Sequence, residues 1–296
     1  MRAVHVRAVG DEPVLVNIDP PAAPAAGQTL IEVMFAAVGH LDRTVWSGRF
    51  ATHPPFPYVP GVEGSGVVMA SPSRLYEPGD RVWFRGGGLG LDRDGSWAER
   101  VVVPDTIVGI LPAGVDFATG ACWFSPLGSA WMSVHEIARV QPGERVLVTG
   151  ATGAVGQVVT QLVAELGAEP IAVTAADPTG RGGPADVIID CVGGEVLAAA
   201  LPAVRAGGRA VLIGYTAGTT VTLDLPTFVQ RDVSLLPLNM VNRAPAVRTM
   251  ADTLLGQLAD GRIHLGVRSI PIEEASNAFG EVVRRGGRGR VVIALR

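Results

Sequence analysis

The 296-residue chain reads as an α/β protein, a β-rich first part followed by a doubly wound parallel sheet. Two patterns predict this. Up to residue 115, short alternating apolar runs are cut by Pro and Gly clusters, as in half-buried antiparallel strands. From Glu144 onward, apolar β-branched runs alternate with longer helical stretches, the signature of a mostly parallel sheet.

In chain order, the β-rich part carries alternating runs at Ala3–Val6, Thr29–Val38, Gly64–Met69, Arg81–Phe84 and Ala98–Val103. Residues 117–139 then read as helical, with Trp and Ala on the buried side. The second part opens at Val146–Thr149, an apolar strand that runs into Gly150, Gly153 and Gly156. A helix to Leu166 follows, with Val155, Val158, Val159, Leu162 and Val163 at helical spacing. Further strands are predicted at Pro170–Thr174, Asp186–Asp190, Arg209–Ile213 and Gly289–Leu295, with an amphipathic helix over Ala246–Asp260. The strand, glycine turn and helix around Gly150 form the most informative segment. Such a turn lets a pyrophosphate approach backbone N–H groups at a helix N-terminus, where the dipole favours negative charge. Gly150, Ala151, Gly153, Ala154, Val155 and Gly156 are therefore candidate contacts for a dinucleotide.

Composition narrows the function. Charged residues are 18% and hydrophobic residues 48%, which excludes a disordered chain. The net charge of −4 gives no electrostatic case for nucleic acid or an acidic membrane. The start, MRAVHVRAVGDEP, alternates like a strand, and no apolar run is long enough to span a bilayer, so a cytoplasmic location is expected. Two cysteines, Cys122 and Cys191, exclude a disulfide framework and a cysteine-rich zinc site.

Several blocks, in order from end to end, carry a resemblance to a family. They are DRTVWSGRF (Asp42–Phe50), PFPYVPGVEGSGVV (Pro55–Val68), EPGDRVWF (Glu77–Phe84), DGSWAERVVVP (Asp94–Pro104), QPGERVLVTGATGAVG (Gln141–Gly156), ADVIIDCVGG (Ala185–Gly194) and GRGRVVIAL (Gly287–Leu295). The chain resembles the medium-chain dehydrogenase/reductase superfamily in its zinc-independent, quinone-oxidoreductase-like branch. The resemblance implies a GroES-like domain from residues 1–115 and 270–296, and a Rossmann NAD(P)-binding domain from residues 116–269. It also implies an active site in the cleft between them.

Zinc-dependent relatives have Cys where this chain has Gly39, and His where it has Val62, and neither residue ligates a metal. The family's cysteine-rich lobe is replaced by RGGGLGLDRDG, and the five His are scattered, so no metal is expected. NADPH is preferred over NADH. The second strand of the nucleotide domain ends at Thr174 without the acid that would hold a ribose 2′-hydroxyl, and Arg181 follows nearby, as either a phosphate contact or a solvated loop residue. The resemblance places Ser129, Cys191 and Arg290 near the cofactor too, with Arg290 as a phosphate contact. Gly214 and Tyr215 lie just past a parallel strand, on the ligand-facing edge.

From Thr174 to Ala185 the chain has only AADPTGRGGP, too short for the family's helix, third strand and second helix. The Rossmann sheet is therefore expected to lack its edge strand, leaving the adenosine half of the cofactor poorly walled. Chemistry-bearing candidates are His40 as an acid, Asp42 as a base or a structural hydrogen-bonding partner, and Tyr215 beside nicotinamide or substrate. Relatives that reduce enoyl groups often have a Tyr proton donor where this chain has Phe50. The reading is a zinc-independent, NADPH-dependent reductase that transfers hydride to a quinone, enone or enoyl substrate. The alternative is a family member with weakened or lost cofactor binding that uses the cleft for a non-redox reaction or for binding a small molecule. A homodimer is expected through the edge strand near Val233–Val241, since Pro237 suits only an edge.

Overall fold

The computed structural model describes residues 1–173, 177, 183–283 and 289–296. The chain divides into two compact units: Met1–Trp123 with Leu255–Arg262 and Gly266–Arg296, and Phe124–Leu254 with Ile263–Leu265.

The first unit opens with β1 (Arg2–His5), β2 (Val14–Asn17), β3 (Gln28–Val38), α1 (His40–Trp46), β4 (Glu63–Ala70), β5 (Arg81–Arg85), β6 (Arg100–Pro104), β7 (Val108–Ile110) and α2 (Phe117–Cys122). The second holds α3 (Phe124–Trp131), β8 (Arg145–Thr149), α4 (Ala154–Glu165), β9 (Glu169–Val173), β10 (Ala185–Asp190), α5 (Gly194–Ala200), β11 (Val204–Leu212), α6 (Leu225–Arg231), β12 (Ser234–Pro237) and α7 (Met240–Thr249). Helix α8 (Ala251–Ala259) leads back to the first unit, which closes with β13 (Val267–Pro271), α9 (Ala278–Val283) and β14 (Arg290–Ala294).

In the first unit the main sheet runs β13-β14-β3-β4-β5-β7, with β6 also paired to β3. β3 buries every second residue over its first six positions, so one face turns to the core, as its alternating sequence predicts. The core gathers Tyr58, Phe84, Trp97 and Phe279. The Trp97 and Phe279 rings lie 5.0 Å apart, and the Trp97 indole N–H donates to the Ala37 carbonyl at 2.9 Å, so this large side chain is buried without an orphaned donor.

In the second unit β8 to β12 are all parallel, in the order β12-β11-β10-β8-β9. Val146–Val148 and Val187–Ile189 are fully buried, as strands covered on both faces must be. Among the described residues β9 forms one edge and β12 the other. The order reverses between β8 and β10, which creates a crevice at their carboxyl ends.

One helical expectation is met in segments and another needs correction. The stretch 117–139 is helical as expected, in pieces: α2 ends at Cys122, α3 starts at Phe124, and Met132–Ile137 forms a π-helical turn. Pro126, which has no N–H, sits in the first turn of α3, where that donor is not needed. The helix expected over Ala246–Asp260 is two, and the first begins earlier, at Met240, because the Asn239 side chain accepts the Val241 N–H and caps it.

Candidate functional site

Within the second unit, β8 delivers the chain to the switch point at Thr149, which lies in register with Asp190 at the end of β10. Gly150 then takes φ +61°, and a Cβ there would lie 2.7 Å from the Val192 side chain. Gly153 starts α4 and donates its N–H to the Gly150 carbonyl at 2.9 Å. A Cβ on Gly156 would collide with that same carbonyl oxygen, so the helix can seat this close to the turn only with glycine there. No side chain caps α4. Its first-turn N–H groups, those of Ala154, Val155 and Gly156, thus face the crevice mouth with the positive end of the dipole. This turn, with no room for a Cβ at Gly156, fits a pyrophosphate.

Asp190 is buried beneath the turn. Its carboxylate accepts the Thr149 hydroxyl and, at 2.9 Å, the Gly193 N–H, and burial raises its pKa despite these donors. The Thr149 hydroxyl oxygen also accepts the Cys191 N–H at 2.9 Å. The pair therefore stitches β8 to the loop after β10. Sequence reasoning passed over both residues; the signal was an acid closing an apolar strand just before Gly193-Gly194. Cys191 is half-buried, and desolvation pushes its thiol pKa up, so it is no nucleophile. A Cβ on Gly214 would collide with the Cys191 carbonyl, so the loops after β10 and β11 pack backbone to backbone. Tyr215 beyond it is 64% exposed, and Ser129 is buried on α3. Thr174 and Arg181 lie outside the described residues.

In the first unit, a buried ionic cluster collects the other candidates. Asp42, in the first turn of α1, accepts the Gly39 N–H at 2.7 Å and the Val62 N–H at 3.0 Å. Burial pushes its pKa up to about 7. Both oxygens are thus occupied in holding α1 against β4, the structural role. Arg290, at the start of β14, ion-pairs with Glu63, and Arg85 approaches the other Glu63 oxygen at 3.3 Å. Burial opposes the charge on Arg290, but Glu63, Cys122 and Asp42 outweigh it and raise its pKa. The Cys122 thiol donates to the Ala118 carbonyl at 3.3 Å, and burial pushes its pKa up to about 12. His40 is exposed, yet desolvation first, then Arg290 and Arg43, hold its pKa below the usual value, so it is neutral at pH 7. Tyr58 is buried with its hydroxyl unpartnered, and burial pushes its pKa upward. Glu63, Arg85 and Cys122 were not legible as members of a site. The one pointer was an acid at the head of the strand after Val62. A cavity of about 340 Å³ in the same unit is lined by Met1, Ile18, Val59, Arg93 and Arg100, none of them a candidate.

Residues 25–113 match the family described as alcohol dehydrogenase GroES-like domain, and residues 166–293 match the family described as zinc-binding dehydrogenase. The quinone oxidoreductase-like protein 2 of Rattus norvegicus is 26% identical over an alignment of 322 positions, gaps included, covering 96% of this chain and 90% of that protein. The acrylyl-CoA reductase of Ruegeria pomeroyi is 25% identical over 297, covering 90% of each. The crystal structure of an NAD-dependent alcohol dehydrogenase superposes with a TM-score of 0.88 at 25% identity, covering all of both chains. A GroES-like unit joined to a Rossmann-like parallel sheet with a glycine-built cradle defines an oxidoreductase class of protein. The chain belongs to the medium-chain dehydrogenase/reductase superfamily.

The name of the second matched family raises the question of zinc. The described residues contain no group of three or more His, Cys, Asp or Glu that could hold a metal. Where zinc-dependent relatives have ligands, this chain has Gly39 and Val62. The nearby acid Glu63 is engaged by two guanidinium groups. The residues present do not fit a zinc ion. Among the described residues no helix is long and apolar enough to cross a membrane.

Proposed function

We propose that the protein is a zinc-independent, NADPH-dependent reductase acting on quinones, enones or enoyl compounds. The observation that carries this is the turn from Gly150 to Gly156 at the sheet's switch point, where Gly150 takes a left-handed φ and Gly156 has no room for a Cβ. Two relatives bear names of matching chemistry, a quinone oxidoreductase-like protein and an acrylyl-CoA reductase. When bound, the nicotinamide supplies a hydride.

The chain's own residues do the rest. The turn and the first-turn amides of α4 bind the diphosphate. Thr149 and Asp190 fix the loop that carries Cys191 to Gly194. The preference for NADPH rests on the sequence, because β9 ends at Val173 with no acid at position 174 to repel a 2′-phosphate. A hydride adds an electron pair to the acceptor, and one proton must follow. His40 is held below its usual pKa, Asp42 is enclosed, and Phe50 has no proton to give, which leaves solvent or the exposed Tyr215 hydroxyl to supply it. This favours quinones and free enones, whose reduced anions protonate readily in water. The reductase is further proposed to be cytoplasmic and to work as a homodimer on a small-molecule substrate.

The test is loss of NADPH absorbance, with NADH in parallel, across quinones, enones and enoyl thioesters. Oxidation with at least one class, faster with NADPH, is expected, and silence throughout overturns the reading. The second reading, a cleft with weakened cofactor binding, is favoured by one observation: β9 is an edge strand among the described residues. Protein that turns over or binds a substrate while saturating NADPH leaves its melting temperature unchanged would select it.

A further inference from the structure

We propose that the cavity of the first unit is a binding site for a small organic carboxylate: the guanidinium groups of Arg93 and Arg100 hold its anionic head, and apolar walls hold its body. Every residue that lines the cavity belongs to Met1–Trp123. The proposal therefore stands apart from the glycine turn of the second unit and from the hydride chemistry above.

The observation behind it is an orphaned cation. Arg93 lines the cavity with its Nε and Nη2 shielded from water, and neither nitrogen finds an acceptor in the chain. Among the described residues, neither Arg93 nor Arg100 forms an ion pair. Withdrawing an ion from water without an acceptor is costly. An arginine cannot escape that cost by losing its proton, as a lysine can. An acceptor from outside the chain relieves it. Two acids, Asp19 and Asp94, also line the cavity, but both are exposed, and one Asp94 oxygen already accepts the Val59 N–H at 2.8 Å.

The site is prepared in advance. Gly95 donates its N–H to the Val59 carbonyl at 2.7 Å, and the Arg93 carbonyl accepts the Gly90 N–H at 2.9 Å, so the loop that carries Arg93 is fixed on both sides. Val59, Ala98 and Val101 are buried and Ile18 is partly so, which gives the cavity apolar walls. Its volume of about 340 Å³ lies at the small end of the range for ligand pockets, ~300–1,000 Å³. Charge selects the head group. Two guanidinium groups beside two exposed carboxylates suit a monoanion, whereas a phosphate dianion would meet stronger repulsion from Asp19 and Asp94. The planar fork of a guanidinium also matches the two oxygens of a carboxylate.

The experiment is calorimetric titration of the full chain with benzoate, with benzyl alcohol (the same ring without the charge) and with inorganic phosphate (the charge without the ring). Wild type is expected to bind benzoate about tenfold or more tighter than either control. Arg93→Met is expected to lose about tenfold or more in benzoate affinity while its affinity for benzyl alcohol moves little. Arg100→Met is the second variant, expected to weaken benzoate in the same way, and it carries the test if Arg93→Met does not fold by circular dichroism. Benzoate that fails to bind, or that binds no tighter than the alcohol or the phosphate, overturns the proposal. Benzoate affinity unchanged in the folded variants also overturns it, because a carboxylate held elsewhere, as at the glycine turn, does not respond to these two arginines. The titration needs no NADPH, so it can fail while the reductase reading stands, and the reverse.

Discussion

Asp42 shows how one buried carboxyl makes stability depend on pH. An unfolded aspartate titrates near pH ~4, and burial lifts Asp42 to about 7. Between those values the native chain holds a proton that the unfolded chain has shed. Stability contributed by this group therefore falls as pH rises from about 4 to about 7, then levels off. Asp42→Asn removes the titration, so denaturant midpoints plotted against pH should lose most of their slope in that window. An unchanged slope would place the titration elsewhere. Gly156 gives a steric test of the same kind. In an exposed helix, Gly→Ala gains about 1 kcal/mol. Here the new methyl group meets the Gly150 carbonyl, so Gly156→Ala should lower the melting temperature and weaken NADPH binding by about tenfold or more, equivalent to about 1.4 kcal/mol. A stabilised variant with normal affinity would contradict the packing. Both residues were visible in the sequence, Gly156 from its spacing and Asp42 from the block it opens. The ion pairs of Glu63 were not, since Arg290 and Arg85 are distant in the chain and reach it only through the pairing of β14 with β3, of β3 with β4 and of β4 with β5.

The parallel sheet of the second unit was legible because its strands are continuous apolar runs and its turn needs glycine. Helix breaks were less so, since α7 and α8 share one apolar periodicity and part only at Met250. The shortened crossover after β9 was read from length alone. It yields a prediction about ligand halves: with β9 at the edge among the described residues, the adenosine moiety should add little binding free energy. Reduced nicotinamide mononucleotide, which lacks that half, should bind within about tenfold of NADPH, a difference of about 1.4 kcal/mol. Calorimetry with both compounds decides, and an affinity gap of several orders of magnitude would show a well-walled adenine.

At the scale of the molecule, the second unit leaves β12, among the described residues, as an edge strand ending in Pro237, with Val241 just beyond it 81% exposed. An unpaired edge beside exposed apolar groups is where a second copy is expected to dock. Val241→Asp should shift the chain from dimer to monomer in sedimentation with its melting curve little changed, and a monomeric wild type would rule the edge out. Domain class was readable from end to end because each block lies within one element. The return of the C-terminal residues to the first unit came from the family resemblance, since nothing local in Val267–Ala294 says which sheet it joins. That return has a consequence for biogenesis. β14 lies between β3 and β13, so until Val267–Ala294 leave the ribosome, which adds about 5–20 residues per second, the Phe35–Val38 stretch of β3 lacks its partner on the flank where β6 covers only Gln28–Glu32. The nascent first unit thus waits, half-zipped, while the second is made, and in that interval a holding chaperone would find its target.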